Sequence, residues 1–343
     1  MRVLIIKMTS MGDVLHTLPA VTDAHNNITG IRFDWVVEKA FVEIPGWHSA
    51  VDRSIPLSLR NWRRAPGQWL GGEVRKALHD LRKERYDYVI DAQGLFKSAA
   101  IACLARGKSA GYSPDSAREP LAARIYSHRT SIPGHLHAID RTRLLFAHTL
   151  GYEPPQAQPD YGLSRDDFAM IHVPTQPYLV FNHASTWSTK SWPEAYWHDL
   201  IRRAGDRDLK VLLPWGDESE RERATRLTQD HQHAEMLPRM NLNQLAAVLT
   251  HATAAVSVDT GLGHLTAALS TPAVSIYGAT DPARTGTVGE NQRRIVASFE
   301  CSPCLSRQCT YNGPSEVTPA CYSTVSPDRV WGTLLSYIDR GDR

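Results

Sequence analysis

The chain has 343 residues, 42% of them hydrophobic and 22% charged, with a formal net charge of +2. That length exceeds one ordinary domain, and the composition is that of a globular protein, not a disordered, collagenous or disulfide-scaffolded one. No run approaches the ~18 uninterrupted apolar residues that span a bilayer. Residues 1–7 turn polar too soon for a signal peptide and read as a first strand, so a cytoplasmic protein is expected.

The chain then alternates strand-like and helix-like segments. In the first half, 3–6, 33–37 and 88–90 read as strands. Segments 14–24, 74–83 and 98–104 read as helices, with Pro19 bending or breaking the first of them. Pro154, Pro155, Pro159, Pro174 and Pro177 mark residues 153–177 as an interdomain linker. The second half repeats the alternation, with strands at 178–181, 210–213, 254–258 and 274–277. Its helices fall at 193–203, 218–229, 242–250, 265–269 and 328–338. Strands alternating with helices give parallel sheets with crossover helices, hence an α/β fold in two domains. Domain bounds of 1–152 and 178–325 follow, with 326–343 as a closing helix that packs back on the first domain. Parallel sheets bind ligands beyond the carboxyl ends of their strands. The loops to inspect are therefore 8–13, 91–94, 183–190, 214–220, 259–264 and 278–286.

Charge is uneven: residues 1–150 carry 21 Lys+Arg against 14 Asp+Glu, and the remainder 17 against 22. A basic first half suits an anionic partner, although an uneven solvated surface accounts for it as well. Cys103 lies in an apolar, helix-like run and is expected in the core. Cys301, Cys304, Cys309 and Cys321 cluster near the end; Cys301 and Cys304 have half of a zinc-knuckle spacing, but the second pair is spaced poorly for one. Reduced thiols without a metal are the expectation. Asp206-Arg207-Asp208 has the acid-x-acid form of a sugar-nucleotide metal site, but it lies between a helix and a strand, at the wrong end of the sheet.

Three loops carry the chemistry. Val258-Asp259-Thr260-Gly261 joins an apolar strand to a helix, so free N–H groups and the positive helix end form an anion site, with Thr260 and His264 as further donors. An ordinary acid-capped helix explains the same pattern. The loop from His183 to Lys190 adds hydroxyls and a lysine that can neutralise a diphosphate as a point charge. After the first strand, Gly12 permits a turn and Asp13 is either a helix cap or a carboxylate that takes a proton from a hydroxyl. Neither a P-loop nor a GxGxxG fingerprint is present. Arg60, Arg63 and Arg64 around Trp62, with Arg118, can grip phosphates and carboxylates, or stack on single-stranded nucleic acid.

Taken in order, MRVLIIKMTSMGDVLHTLPA (1–20), DAQGL (91–95), AREPL (117–121), PWG (214–216), VDTGLGHLTAAL (258–269) and YGATDP (277–282) resemble the lipopolysaccharide heptosyltransferases of glycosyltransferase family 9. The similarity is greatest to the branch that adds the first heptose, and it runs over nearly the whole chain. It implies a GT-B glycosyltransferase: two Rossmann-like domains with parallel sheets facing a central cleft. It also implies inverting transfer of L-glycero-D-manno-heptose from ADP-heptose to the first Kdo of Kdo2-lipid A, in inner-core synthesis. By this resemblance Asp13 is the base and Lys190 serves the diphosphate. Ser185, Thr186, Glu220, Met240, Asp259, Thr260, Gly261 and His264 surround the donor. Thr9, Ser10, Gly12, Arg60, Arg63, Arg64, Gln93, Arg118 and His137 face the acceptor. No cofactor is implied beyond the co-substrate ADP-heptose, and dependence on a divalent cation is left open. A monomer at the cytoplasmic face of the inner membrane, held there through its acceptor and without nucleic acid, completes the expectation. The cysteine-rich tail departs from this branch and is more typical of others in the family. Another heptosyltransferase, a GT-B nucleotide-sugar epimerase and a nucleic-acid module built on the Arg/Trp patch at 60–64 are the alternatives.

Overall fold

The computed structural model describes residues 1–59, 72–168, 174 and 176–341. The chain divides into two compact units, Met1–Leu163 and Ser164–Arg343. Among the described residues each unit contains one six-stranded parallel sheet.

In the first unit the strands are β1 (Arg2–Ile6), β2 (Arg32–Glu38), β3 (Val51–Leu57), β4 (Arg85–Asp91), β5 (Arg106–Tyr112) and β6 (His128–Thr130), in the order β3-β2-β1-β4-β5-β6. β1 pairs with β2 on one side and β4 on the other, with Ile6 opposite Val36 and Asp91. Val3 to Ile6 are fully buried, as expected of a central parallel strand covered on both faces. The crossovers include α1 (Met11–Leu15), α2 (Leu18–Asn27), α3 (Gly72–Arg82), α4 (Phe96–Leu104) and α5 (Ala138–Leu150). The expected helix at 14–24 is two helices: His16 and Thr17 interrupt it, and Pro19 falls in the first turn of α2, where its missing N–H costs nothing.

The second unit repeats the plan with β7 (Tyr178–Asn182), β8 (Lys210–Leu213), β9 (Ala234–Met236), β10 (Ala254–Val258), β11 (Ala273–Tyr277) and β12 (Gln292–Val296), ordered β12-β11-β10-β7-β8-β9. Its helices include α6 (Glu194–Gly205), α7 (Glu218–Thr228), α8 (Leu242–His251), α9 (Gly261–Ala268), α10 (Pro282–Thr285) and α11 (Pro327–Gly341). The closing helix packs on the core of its own unit. Trp331, Leu334 and Ile338 of α11 are buried in one core with Trp192 and Trp197, and α11 lies against α6, β10 and β11.

Two residues of the proline-rich stretch are held against the first unit. Ala157 accepts a hydrogen bond from Arg143 Nη1, at 3.0 Å. Gly162 has φ +63°, and a Cβ there would meet His48 Nε2 at 2.5 Å and Thr22 Oγ1 at 2.6 Å, so only glycine fits.

His48, 2% exposed, makes the first unit sensitive to acid. Ala50 N–H donates to its Nδ1 (3.1 Å), which must therefore stay unprotonated, and Nε2 lies 3.0 Å from Thr22 Oγ1. Burial, helped by His25, pulls its pKa down to about 4. The unfolded chain binds this proton near pH 6.5 and the folded one only near 4. The resulting stability is intact above pH 6.5 and is lost as pH falls to about 4, on the order of 3 kcal/mol at ~1.4 kcal/mol per unit. We expect the His48 ring to titrate well below pH 6 by NMR, and the first unit to unfold more readily across that window. A His48 midpoint near 6.5 would contradict this account.

Candidate functional site

In each unit the polar residues collect at the carboxyl edge of the sheet, around the point where strand order reverses, between β1 and β4 and between β7 and β10. This is where open parallel sheets bind ligands.

At the first edge, Lys7 leaves β1 and is 8% exposed; its Nζ donates across the switch point to Ala92 O, at 2.8 Å. Asp13 Oδ1 lies 3.8 Å from the same Nζ, with the Asp13 side chain 37% exposed. Its Oδ2 accepts from Ser10 N (2.7 Å) and Ser10 Oγ (3.0 Å). Asp13 is thus the third residue of α1 reaching back to the residue before the helix, a capping arrangement. The cap and the base readings of Asp13 are therefore one geometry: the bonds that finish α1 also hold a partly exposed carboxylate at the sheet edge.

Gln93 faces the same loop, its Oε1 accepting from Met8 N (3.0 Å) and Thr9 N (3.2 Å). The Gln93 turn is fixed from below by Asp91, which is fully buried and takes N–H bonds from Gln93 (2.8 Å) and Gly94 (3.1 Å) on Oδ1 and the Tyr126 hydroxyl on Oδ2 at 2.6 Å. Burial pushes the Asp91 carboxyl up, and these donors oppose it. Gly94, at φ +68°, lets the Arg118 backbone approach, and Arg118 is exposed on the loop after β5. His137 caps α5 through Ile139 N–H (3.2 Å to Nδ1), its ring 5.4 Å from that of His16. Thr9, Ser10, Gly12, Asp13, Gln93, Arg118 and His137 therefore share one edge. Arg60, Arg63 and Arg64 lie outside the described residues.

Gly111 tests the support beneath that edge, because a Cβ there would run into the Tyr126 ring. Gly111→Ala is expected to push Tyr126 off Asp91, leaving a buried carboxylate short of a donor. The expected loss is about 2–3 kcal/mol of stability, measurable by denaturant unfolding with Tyr126→Phe as comparison. An unaltered midpoint in both variants would show that the Tyr126–Asp91 bond does not brace the Gln93 turn.

At the second edge the centre is Asp259, 7% exposed. Its Oδ2 pairs with Lys190 Nζ at 2.7 Å and accepts from Thr280 Oγ1 at 2.5 Å. His264 Nε2 is 3.9 Å from Oδ1, and Ser185 Oγ donates to the Asp259 carbonyl at 3.0 Å. Lys190 also stands 4.5 Å from the centre of the Trp187 ring. Gly263 and His264 turn their N–H groups back to Thr260 O, while those of Gly261 and Leu262 open from the end of α9. Gly263 packs on the strand beneath, its Cβ position 3.1 Å from that of Ser257. The 188–190 turn is pinned by Ser188 Oγ to Arg307 O (3.0 Å) and Thr189 Oγ1 to Ser306 O (2.6 Å).

One strand further, Glu220 Oε2 accepts from Gly216 N at 2.7 Å, and burial raises the Glu220 carboxyl. Trp215 Nε1 donates to Leu237 O at 2.6 Å, which ties this loop to the segment that leads to half-buried Met240. Thr186 is exposed beside Ser185. Every expected donor-side residue thus lies along the carboxyl edge from β10 to β9. Lys7, Asp91, Tyr126, Trp187 and Thr280 were not among the expected site residues. A lysine ending an apolar strand was the available signal for Lys7; the others become visible only once the strands are paired.

Cys103, expected in the core, is exposed instead, because it falls on the outward side of α4 beside exposed Leu104; Cys301, Cys304 and Cys309 are exposed free thiols as well. Cys321 is buried, its pKa pushed up to about 11 by burial and the nearby thiols. Among the described residues no three His, Cys, Asp or Glu side chains are placed to hold a metal ion.

A family model, glycosyltransferase family 9 (heptosyltransferase), matches residues 74–314. The chain belongs to this family. It is 48% identical over 341 residues to lipopolysaccharide heptosyltransferase 1 of Pseudomonas aeruginosa, covering 96% of each chain. With the Escherichia coli K12 protein of the same name it shares 49% identity, covering 85% of this chain and 92% of that one. The structure of E. coli heptosyltransferase WaaC with ADP superposes with a TM-score of 0.86 at 43% identity, over 98% of this chain and 100% of that one. The family 9 member is accordingly a glycosyltransferase of GT-B fold, and its reaction is heptosyl transfer in lipopolysaccharide core biosynthesis. The epimerase and nucleic-acid-module readings fall away. No helix among the described residues is long and apolar enough to cross a membrane.

Proposed function

We propose that this heptosyltransferase moves L-glycero-D-manno-heptose from ADP-heptose to the first Kdo of Kdo2-lipid A, inverting the anomeric centre. Asp13 takes the proton of the attacking Kdo hydroxyl as that oxygen bonds to the anomeric carbon, and the bond to the ADP oxygen breaks. The ADP leaving group gains negative charge, which Lys190, the Thr260 hydroxyl and the N–H groups of Gly261 and Leu262 stabilise. Ser185 and Thr186 add hydroxyls to the phosphates, with Asp259 and His264 beneath them; Glu220 holds the ribose and Met240 lies by the adenine. Gln93, Arg118 and His137, with the loop of Thr9, Ser10 and Gly12, bind the acceptor's anionic groups, as do Arg60, Arg63 and Arg64. No cofactor is required beyond the co-substrate ADP-heptose, and the enzyme acts as a monomer at the cytoplasmic face of the inner membrane, without nucleic acid.

The observation that carries this reading is the Lys190–Asp259 pair at the mouth of a helix N-terminus. It is a charge-neutral cradle that can release a lysine to an incoming diphosphate. The E. coli WaaC structures with ADP and with ADP-2-deoxy-2-fluoro heptose support the choice of donor. The test is ADP release from ADP-heptose, with and without Kdo2-lipid A and in the presence of EDTA. Acceptor-dependent, EDTA-resistant release is expected. ADP binding without release on this acceptor would move the enzyme to another acceptor of the core.

A further inference from the structure

α4 carries one charge, Lys97, in nine residues, and its inward face, with Ala99 and Ala102, is buried. A helix that is apolar all round is normally covered on every side. This one is not: Phe96 is 57% exposed and Leu104 45%. Beside it runs the 3-10 turn Pro120–Ile125, packed on α4 through Ala99, Ala122, Ala123 and Tyr126 and joined to it by the bond from Phe96 N to Glu119 Oε2 (2.7 Å). That turn leaves Leu121 61% exposed. In a 3-10 turn residues three apart eclipse one another, so Arg124 stands on the same face as Leu121. Arg129 reaches the Arg124 carbonyl at 3.4 Å. The nearby acid, Glu119, is occupied by the Phe96 N–H. Exposed Phe96, Leu104 and Leu121 thus stand on α4 and the turn packed against it, and exposed Lys97, Arg124 and Arg129 stand on the same two elements and on β6.

We propose that this face docks the enzyme on an anionic lipid bilayer, with Phe96, Leu104 and Leu121 entering the headgroup boundary and the three cations meeting lipid phosphates. Apolar side chains bind an interface through their buried area, and each cation adds attraction that salt weakens. The exposed charges bordering this face are cations, Glu119 excepted, and a border of one sign is the complement of a uniformly anionic surface. The face flanks the Gln93–Arg118 edge, so docking would present a lipid-borne acceptor there; that consequence rests on the proposed acceptor, but the docking itself does not.

The experiment is co-sedimentation of the full chain with vesicles of phosphatidylethanolamine containing phosphatidylglycerol, compared with phosphatidylcholine vesicles. The wild type should pellet with the anionic vesicles and be released by salt. Phe96→Ser/Leu121→Ser should weaken pelleting by about tenfold or more, from the apolar area withheld. Lys97→Glu/Arg124→Glu should remove the salt-sensitive part. Thermal unfolding like that of the wild type, with an unchanged transfer rate on a deacylated soluble acceptor, shows that the variants fold. Pelleting needs neither donor nor acceptor, so loss of the proposed transfer reaction would leave this result standing. Wild type that stays in the supernatant, or variants that pellet as it does, would overturn the proposal. So would a dimer in solution that Phe96→Ser/Leu121→Ser dissolves, which would assign the face to a second copy.

Discussion

Asp13→Ala should abolish heptosyl transfer while ADP still binds with wild-type affinity. A positioned general base contributes roughly 10²–10⁴-fold, and the donor-side residues belong to the other unit of the chain. The complication is that Asp13 also completes the start of α1 through Ser10. That capping role is worth only about 1 kcal/mol, and Asp13→Asn separates the two. An amide oxygen still accepts the Ser10 N–H, so α1 keeps its cap, but an amide cannot take a proton. Single-turnover transfer and ADP calorimetry on both variants decide the matter. If Asn restores turnover, Asp13 acts only by shaping the loop, and the base lies elsewhere.

Removing Lys190 is expected to have the second largest effect, about 10²–10³-fold in kcat/KM, the size seen when one donor to a developing charge is lost. Here the structure predicts a second consequence. The Asp259 side chain is 8% exposed and its carboxylate relies on the ammonium at 2.7 Å. Lys190→Ala leaves that charge buried with Thr280 and no close lysine, so the second unit should also lose about 3–5 kcal/mol. Lys190→Met combined with Asp259→Asn removes the stranded charge and should recover most of the stability. It should recover none of the activity. Activity returning with stability would mean that Lys190 holds the loop and does not serve the leaving group.

The parts of the fold legible in the sequence were those buried on both faces. β10 and β8 read directly as strands because Ala254–Val258 and Lys210–Leu213 are short, nearly continuous apolar runs. The strands that went unread are edge or near-edge ones: β3 with Asp52, Arg53 and Pro56, β5 with Arg106 and Lys108, the three-residue β6 and β9, and β12 with Arg293 and Arg294. Their polar residues face solvent, so no hydrophobic period marks them. The site was legible where one loop holds the whole pattern, as at Asp259–His264. It was not legible where the partners come from separate strands. Nothing local to Thr280 announces that it will share a carboxylate with Lys190, and nothing at Tyr126 points to Asp91.

Both sheets place their first and fourth strands side by side, and this bears on how the chain reaches its native state. Ile6 must find Asp91, and Asn182 must find Ser257, before either sheet has a centre. The intervening strands, β2 and β3 in one case and β8 and β9 in the other, lie outward of that seam. Zipping neighbours in order of synthesis cannot close it. Each seam costs the entropy of a long loop, which grows slowly with length but must be met before the pairing energy is gained. During translation β1, with four residues destined for complete burial, has to wait for β4 to leave the ribosome. Slow, non-local assembly of this kind exposes apolar strands to aggregation, so the nascent first half is where a chaperone would be needed most.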